Sequence, residues 1–257
     1  MVNMNDENRE NENDDFKEEV IEGYKSRKAI RIIASITALC LVLVVTTPIF
    51  TNINLPTLDF LKESLRLTQK TEVKKIQKSI ATITVENRKG TGFNIDEKGL
   101  IITNAHVVQN AKNVLVSFYK GKEYKGKIWE LYPSIDLAVI KIEGNELPKL
   151  ALAKEPDINH GDEVLIIGNP LAYTGIANRG VIYGISKVQE LEEPILLIDG
   201  PVNKGNSGSP VLNSQGEVIG VIFAIINYGD INEKKLGGAI PIEYLLKQIE
   251  GSQSLLD

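Results

Sequence analysis

From Ser79 onward the chain is divided into short runs of β-branched and other apolar residues, each bounded by Gly, Asn, Asp or Lys. Such runs with turn residues between them predict β-strands, and many of them at regular spacing predict a sandwich or a barrel. The predicted strands are 80–85, 92–95, 100–103, 114–118, 123–129, 137–142, 163–167, 175–186, 195–198, 210–212, 218–225 and 237–240. We therefore expect one all-β domain at 79–250.

The end of this domain has a helical period instead. Pro241 opens the segment, and proline suits a first helical turn because its missing N–H is not needed there. Apolar residues then recur at the spacing of one helix face: Ile242, Leu245, Leu246 and Ile249. A C-terminal helix is expected, followed by a tail at 251–257.

Residues 32–50 carry no charge. Nineteen helical residues span about 28 Å, close to the thickness of a bilayer's hydrocarbon core. A buried core helix is rarely apolar on every face. A cleaved signal peptide has a shorter apolar region and an Ala-x-Ala-like site, which this run lacks. The pattern predicts one transmembrane helix at 29–50.

The charges before this span predict its orientation. Four basic residues precede it, which places the N-terminus in the cytoplasm and the later residues outside the membrane: Lys25, Arg27, Lys28 and Arg31. Residues 1–24 hold nine acidic and two basic side chains, a net charge of −7, so the rest of the chain carries +2 of the total of −5. The four basic residues precede the uncharged run 32–50, and Arg31 is the only one inside the predicted bounds of the helix. We expect a disordered acidic head at 1–28. A nucleic-acid surface would need a basic footprint and is not indicated.

The segment 51–78 is polar, with apolar residues at near-helical spacing, and predicts a juxtamembrane stalk. These residues are Leu58, Leu61, Leu65, Val73 and Ile76. Cysteine and histidine are scarce: Cys40 is the only cysteine and there are two histidines. An intrachain disulfide and an ordinary structural zinc site are therefore excluded.

Three side chains supply the parts of a nucleophilic site. Ser207, set among glycines, would need a base to take its proton, and the base needs an orienting group. His106 follows an apolar run, whereas His160 lies in a polar loop, so His106 is the better base. Asp136 opens the apolar run 137–142 and is the candidate orienter. His, Asp, Ser is one of three unrelated orders in which this geometry occurs.

Two other stretches resemble known catalytic or binding motifs but lack a residue that the motif requires. The run 121–127 has P-loop spacing, but Ile128 stands where a Mg²⁺-binding Ser or Thr is needed. Ser209 occupies the last position of what would be Gly-x-Ser-x-Gly, and an α/β-hydrolase needs its histidine after the serine. Both histidines here precede Ser207.

Six motifs in order carry a resemblance to a known family. They are Gly90-Thr91-Gly92-Phe93, Thr103-Asn104-Ala105-His106-Val107-Val108, Asp136-Leu137-Ala138-Val139-Ile140-Lys141-Ile142, Gly168-Asn169-Pro170, Asn203-Lys204-Gly205-Asn206-Ser207-Gly208 and Gly216-Glu217-Val218-Ile219-Gly220. On these motifs the chain resembles the trypsin-like serine proteases, and within them the HtrA-type bacterial proteases.

The resemblance implies two six-stranded antiparallel barrels, at about 79–154 and 155–240, with the site between them. His106 and Asp136 would come from the first barrel and Ser207 from the second. The backbone N–H groups of Gly205 and Ser207 would form the oxyanion hole.

The resemblance also implies a pocket for the side chain before the cut bond. Its expected wall residues are Pro201, Val202, Ile222, Phe223 and Ala224. Pro201 stands where trypsin-type enzymes carry the pocket carboxylate. An uncharged, shallow pocket predicts cleavage after small aliphatic residues.

The implied activity is that of a serine endopeptidase acting on unfolded, or on specific secreted or membrane, polypeptides, with no metal or organic cofactor. In the family, segments before the first barrel help trimers to form, so a homotrimer is one expectation for the stalk and a simple spacer is the other. The family's appended PDZ domain is expected to be missing.

Three residues depart from patterns of this fold. Asn206 replaces the Asp that pairs with a cut N-terminus in digestive enzymes, so activation by such a cut is not expected. Lys204 replaces a proline and Ser209 a glycine in the loop of the expected oxyanion hole. The alternative function is a catalytically silent barrel that binds peptides or protein partners.

Overall fold

The structure, a computed structural model, describes residues 34–38, 40–42, 58–86, 88–170, 173–189, 191–229 and 234–251. The chain forms two compact units, Met1–Pro56 and Thr57–Asp257. In the first unit, residues 34–38 and 40–42 are helical. The remainder of the predicted span, the predicted head and all of the predicted tail except its first residue lie outside the described residues. None of the helices that the structure describes combines the length and the apolar content needed to cross a membrane.

Twelve described strands in the second unit form two closed antiparallel barrels. The first contains β1 (Ile80–Val85), β2 (Arg88–Asn94), β3 (Leu100–Thr103), β4 (Val114–Phe118), β5 (Glu123–Tyr132) and β6 (Leu137–Lys141). The second contains β7 (Glu163–Gly168), β8 (Ile176–Ser186), β9 (Ile195–Asp199), β10 (Pro210–Leu212), β11 (Val218–Tyr228) and β12 (Lys234–Pro241). The predicted pair of six-stranded barrels is confirmed.

Four described α-helices accompany the barrels. They are α1 (Leu58–Leu67), α2 (Thr71–Lys78), α3 (Ala105–Val108) and α4 (Ile242–Gly251). The predicted C-terminal helix is confirmed, and it starts directly after the proline that ends β12.

Apolar side chains form separate cores inside the barrels and a further core between them. Ile83, Ile101 and Ile140 belong to the core of the first barrel, and Ile166 and Ile198 to that of the second. The core between the barrels is formed from both barrels and from the helices α1, α2 and α4, with buried members that include Phe93, Ile102, Leu137, Val221, Leu245, Leu67 and Val73. Burial of this much apolar surface fixes the two barrels against each other.

The helices α1 and α2, within the predicted stalk, also hydrogen-bond to the second barrel, at β8 and at the loop between β7 and β8. The N–H of Ala177 donates to Ser64 Oγ at 3.1 Å. Gln77 Nε2 donates to the carbonyl of Gly175 at 2.6 Å. This part of the chain is therefore built into the same compact unit as the barrels.

Four strands, β2, β5, β11 and β12, are at least three residues longer than the sequence pattern predicts, and one residue lies in a different element. β2 begins at Arg88 instead of residue 92, because its polar first half continues the ladder with β1. β11 and β12 extend into a long hairpin whose outer part is exposed. His106, expected to close a strand, lies in the short helix α3 that follows β3.

Candidate active site

The pairing of β3 with β6 brings His106 and Asp136 together. The two strands are antiparallel, with Thr103 opposite Ala138, so the end of β3 meets the start of β6. His106 lies in the helical turn that follows β3. Asp136 lies just before β6, at the end of the 3-10 turn Pro133–Ile135.

The Asp136 carboxylate contacts His106 through both of its oxygens. His106 Nδ1 lies 2.7 Å from Asp136 Oδ2, and the His106 backbone N–H donates to Oδ1 at 2.9 Å. The Asp136 side chain is 15% exposed and the His106 side chain 47%. The carboxylate is therefore sheltered, while the far edge of the imidazole remains open to a substrate.

Neighbouring groups hold Asp136 in an uncommon backbone conformation. Its φ of 47° and ψ of 42° lie in the left-handed region, which is rare for residues other than glycine. Its carbonyl accepts hydrogen bonds from Ala105 N–H at 3.1 Å and from Asn104 Nδ2 at 3.0 Å. Burial and, second, the charge of Glu130 raise the pKa of Tyr132, so this phenol stays neutral beside the turn that carries Asp136.

Ser207 lies between β9 and β10, beside the helix that carries His106. A β-carbon built on Gly90 would lie 2.9 Å from the Val107 side chain and 3.3 Å from the Ser207 carbonyl oxygen. Ser207 Oγ donates to the carbonyl of Phe223 at 3.3 Å. Within the described residues, no hydrogen bond joins Ser207 Oγ to His106. The structure thus places the serine next to the histidine's helix, with its hydroxyl turned toward β11.

In the segment 203–209, which we call the oxyanion loop, the N–H groups on the two sides of Asn206 are unused donors. Asn206 N–H donates to Asn203, and Gly208 N–H donates to Ile222 at 2.7 Å. By contrast, the backbone N–H groups of Gly205 and Ser207 have no acceptor among the described residues. Two free donors beside a serine hydroxyl are what an oxyanion hole requires.

The oxyanion loop packs closely against β2. Gly208 has a φ of +85°, and a β-carbon on it would collide with the Thr91 carbonyl oxygen. Thr91 N–H donates to the Ser207 carbonyl at 2.8 Å. Glycine at position 208 therefore permits both the left-handed backbone and the direct contact between the barrels.

The sequence pattern of the trypsin-like peptidase domain family matches residues 90–221, about half of the chain. The chain belongs to the trypsin-like peptidase family.

Relatives of this trypsin-like chain are HtrA-type proteases. It is 39% identical over 156 residues to a protein of Chlamydia trachomatis named a probable periplasmic serine endoprotease, DegP-like. That match covers 60% of this chain and 31% of the relative. The chain therefore spans about a third of the length of this relative.

Solved structures give the same family. The serine endoprotease from Yersinia pestis has a TM-score of 0.62 and 26% identity, over 70% of this chain and 64% of that one. The HtrA-type protease AlgW with a tripeptide has a TM-score of 0.63 and 27% identity, over 70% and 62% of the two chains. The predicted kinship with HtrA-type serine proteases is confirmed.

In this trypsin-like fold, part of the expected specificity pocket is filled by two of its own wall residues. Val202 Cγ2 lies 2.6 Å from where a β-carbon on Gly237 would be. Phe223 Cε1 lies 2.8 Å from the same position on Gly238. The two glycines of β12 make room for these side chains, which therefore occupy space below the surface.

Ile222 does not line this surface with its side chain, contrary to expectation. It is 1% exposed and packs in the core of the second barrel. The register of β11 against β12 shifts between Ile222 and Ala224. Phe223 is the extra residue of this bulge, and its side chain is half-buried. Ala224 is half-buried and Pro201 is exposed.

One ion pair lies near the expected pocket. Lys234 Nζ lies 2.7 Å from Asp199 Oδ2, and both side chains are about half exposed. His160, the histidine set aside in the sequence, bonds through Nδ1 to the Tyr183 carbonyl at 2.9 Å. Among the described residues, neither the Lys234–Asp199 pair nor His160 is hydrogen-bonded to His106.

Sequence reasoning missed the residues that hold the site together. Thr91 contacts the oxyanion loop at the Gly205 carbonyl, and Asn169 contacts Thr91. Both residues belong to motifs that carry the resemblance, but neither was assigned a role. The glycines on either side of Thr91 were the available signal, since they indicate a close backbone approach. Phe223 was expected as a wall residue, not as the acceptor for Ser207.

Proposed function

We propose that this chain is a membrane-anchored, extracytoplasmic serine endopeptidase that uses Ser207, His106 and Asp136. Membership of the trypsin-like family and the HtrA-type relatives support the activity. The observation that carries the assignment of residues is the double contact of Asp136 with His106, beside a serine whose own N–H and that of Gly205 are free.

In the proposed reaction, Ser207 Oγ attacks the carbonyl carbon of the peptide bond while His106 Nε2 accepts its proton. The carbonyl oxygen gains negative charge and accepts hydrogen bonds from Gly205 and Ser207 N–H. His106 then gives the proton to the leaving nitrogen as the C–N bond breaks. Water, activated by the same imidazole, hydrolyses the resulting ester and frees Ser207.

Asp136 has two roles in this scheme. Its Oδ2 keeps the proton on Nδ1, so that Nε2 is free to accept the proton of Ser207. Its negative charge also stabilises the imidazolium that forms when the proton arrives. The second contact, through Oδ1, fixes the carboxylate relative to the histidine backbone.

The Ser207 hydroxyl must leave the Phe223 carbonyl before it can reach His106. A rotation about χ1 moves Oγ between staggered positions without moving the loop. The hydrogen bond to Phe223 is long, at 3.3 Å, and a bond of this length holds the hydroxyl weakly. We propose that a bound substrate, or a neighbouring subunit, favours the productive position.

The same hydrogen bond favours the second candidate function, a silent barrel that binds polypeptides without cleaving them. In that case Ser207 would remain on Phe223 and the two N–H groups would serve only to bind a peptide carbonyl. Turnover distinguishes the two functions, because a binding module leaves its ligand intact.

Digestion of casein by the full-length chain in detergent micelles tests the proposal. We expect cleavage, and we expect Ser207→Ala to lower its rate about 10⁵–10⁶-fold, as in triads whose members act as a unit. Equal rates in the two proteins would place the nucleophile elsewhere. Binding of casein without cleavage by the wild type would favour the silent barrel.

The membrane placement is also part of the proposal, supported by the uncharged run 32–50. Within it, Ile36, Leu41 and Val42 are more than half exposed on a helical segment. Protease added to spheroplasts should remove a tag at Asp257 and spare one at Met1. The opposite pattern would contradict this orientation.

We include a homotrimer in the proposal. Leu65 on α1 is 67% exposed, in the segment where the HtrA resemblance places contacts between subunits. Light scattering with size exclusion would give the mass of the assembly, and a monomer would contradict this part.

A further inference from the structure

The hydroxyl of Thr91 links the motif that carries Ser207 to two motifs that the proposed reaction leaves without a role. Thr91 Oγ1 donates to the Gly205 carbonyl at 2.8 Å, across 114 positions of sequence. It accepts the Asn169 backbone N–H at 3.0 Å. Thr91 is fully buried. The Gly-Thr-Gly, Gly-Asn-Pro and Gly-Asn-Ser-Gly motifs therefore meet at one oxygen atom.

The direction of these two bonds is set by chemistry. A backbone N–H can only donate, so Asn169 uses a lone pair of Thr91 Oγ1. A carbonyl can only accept, so the single proton of the hydroxyl lies toward Gly205. The Asn169 side chain is itself fixed, with Oδ1 accepting from Gly175 N–H at 2.7 Å and Nδ2 donating to Thr82 Oγ1 at 3.0 Å. Its backbone N–H thus occupies a defined position.

Thr91 holds the oxyanion loop at two alternate peptide units. Its Oγ1 fixes the carbonyl of Gly205, and its backbone N–H fixes the carbonyl of Ser207. Between them, the Asn206 carbonyl accepts from Ser209 N–H at 2.8 Å. The two carbonyls that Thr91 holds belong to the peptide units 205–206 and 207–208, which flank the unit 206–207 that carries the Ser207 N–H. The unit 205–206 also adjoins the unit that carries the Gly205 N–H, so Thr91 restrains both donors through the neighbouring peptide units.

We propose that Thr91 is a positioning residue that orients the oxyanion donors from the first barrel. This inference rests on the proposed function, since a hole that stabilises no oxyanion needs no orientation. Thr91 does not touch the reacting atoms. Its hydroxyl acts through the Gly205 carbonyl, so its loss should weaken the binding of the transition state more than that of the substrate.

The test compares Thr91→Val, which removes the hydroxyl at nearly constant shape, with Thr91→Ser, which keeps it. In full-length protein acting on a peptide substrate, we expect Thr91→Val to lower kcat about 10–100-fold, less than the 10²–10³-fold typical of deleting an oxyanion donor. KM should change by less than about 3-fold, and Thr91→Ser should stay within about 3-fold of wild type.

Thr82→Val is the matched control. Thr82 lies directly opposite Thr91 in the ladder of β1 and β2, and its hydroxyl also contacts Asn169, but not the oxyanion loop. We expect its kcat to stay within about 3-fold of wild type. A fall in kcat equal to that of Thr91→Val would mean that any lost hydroxyl beside Asn169 has this effect, and would overturn the inference.

The inhibition constant of a peptide aldehyde separates a positioning role from a general loss of packing. The aldehyde binds the serine as a tetrahedral adduct whose oxygen occupies the oxyanion hole. Its inhibition constant should rise in Thr91→Val by about the factor by which kcat falls, while KM is unchanged. An unchanged inhibition constant would overturn the inference.

If Thr91→Val does not fold, Thr91→Ser and Thr91→Cys carry the test. The two differ only by oxygen against sulfur, and a thiol is a weak hydrogen-bond donor. A lower kcat in Thr91→Cys supports the inference, and equal kcat in both overturns it. A wild type without activity would overturn the proposed function and this inference with it, whereas an active wild type and an equally active Thr91→Val would overturn the inference alone.

Discussion

Asp136 holds His106 by two hydrogen bonds, one to the ring at 2.7 Å and one to the backbone N–H at 2.9 Å. The second bond determines what an amide would do in the same place. In Asp136→Asn the amide oxygen would stay on the backbone N–H, so the NH₂ group would face Nδ1. The proton would then reside on Nε2, and the imidazole could not accept the proton of Ser207.

We therefore expect Asp136→Asn to lower kcat about 10⁴-fold with the fold retained, as the wrong tautomer does in other triads. Steady-state kinetics on a peptide substrate measure this. Asp162→Asn is the control, because Asp162 accepts from Asn159 N–H in an exposed turn and an amide oxygen can replace it. Activity of Asp136→Asn within 10-fold of wild type would contradict the role given to Asp136.

Replacing Asn206 by a charged residue should destabilise the protein. The Asn206 side chain is 1% exposed, and neither of its amide atoms has a hydrogen-bond partner within the described residues. In Asn206→Asp, a buried carboxylate without a cation should lower the free energy of unfolding by about 3 kcal/mol or more at pH 8.

The pH dependence of this defect has a definite sign. Burial raises the pKa of a carboxyl, so the folded Asn206→Asp protein binds its proton more tightly than the unfolded one. The defect should be small below about pH 4 and grow as the pH rises. Urea unfolding at several pH values measures it, with Asn113→Asp at an exposed site as the control. Wild-type stability at pH 8 would reveal a cation that pairs with position 206.

The filled pocket predicts a preference for small aliphatic residues before the cut bond. Val202 and Phe223 occupy the space beside Gly237 and Gly238, and the nearby Asp199 is paired with Lys234. Mass-spectrometric mapping of cleaved casein should show Val, Ala or Ile at this position. A dominant preference for Lys or Arg would contradict the prediction.

Shortening Phe223 should change this preference in a defined direction. Phe223→Ala should admit Leu and larger side chains, because each accommodated methylene is worth about 1–3 kcal/mol. Ile225→Ala, on the exposed part of the same strand, is the control and should leave the preference unchanged. An unchanged preference in Phe223→Ala would place the pocket elsewhere.

The sequence predicts most of the fold because its strands are marked locally. The strands β1, β3, β4 and β10 have the expected bounds, since each is a short apolar run between turn residues. The first half of β2 was missed because Arg88 and Lys89 are polar and gain their place from backbone pairing with β1. Local composition cannot reveal such a partner.

The candidate site, like the fold, could be predicted from the sequence only in part. His106 and Asp136 could be predicted to meet, because each lies at the end of a strand in a recognised order. The hydroxyl of Thr91 could not be assigned, because its partner is 114 residues away. The burial of Ile222 also depends on pairing, because Val221 and Ile222 alternate between two cores in the part of β11 that precedes the bulge at Phe223.

Labelling with a fluorophosphonate tests the central claim most directly, because this reagent reacts with a serine only when a base activates it. In the full-length chain, mass spectrometry should find the adduct on Ser207. Ser207→Ala should abolish the label, and Ser209→Ala, two residues away in the same loop, should retain it. No label on the folded wild type, or a label that persists in Ser207→Ala, would contradict the account.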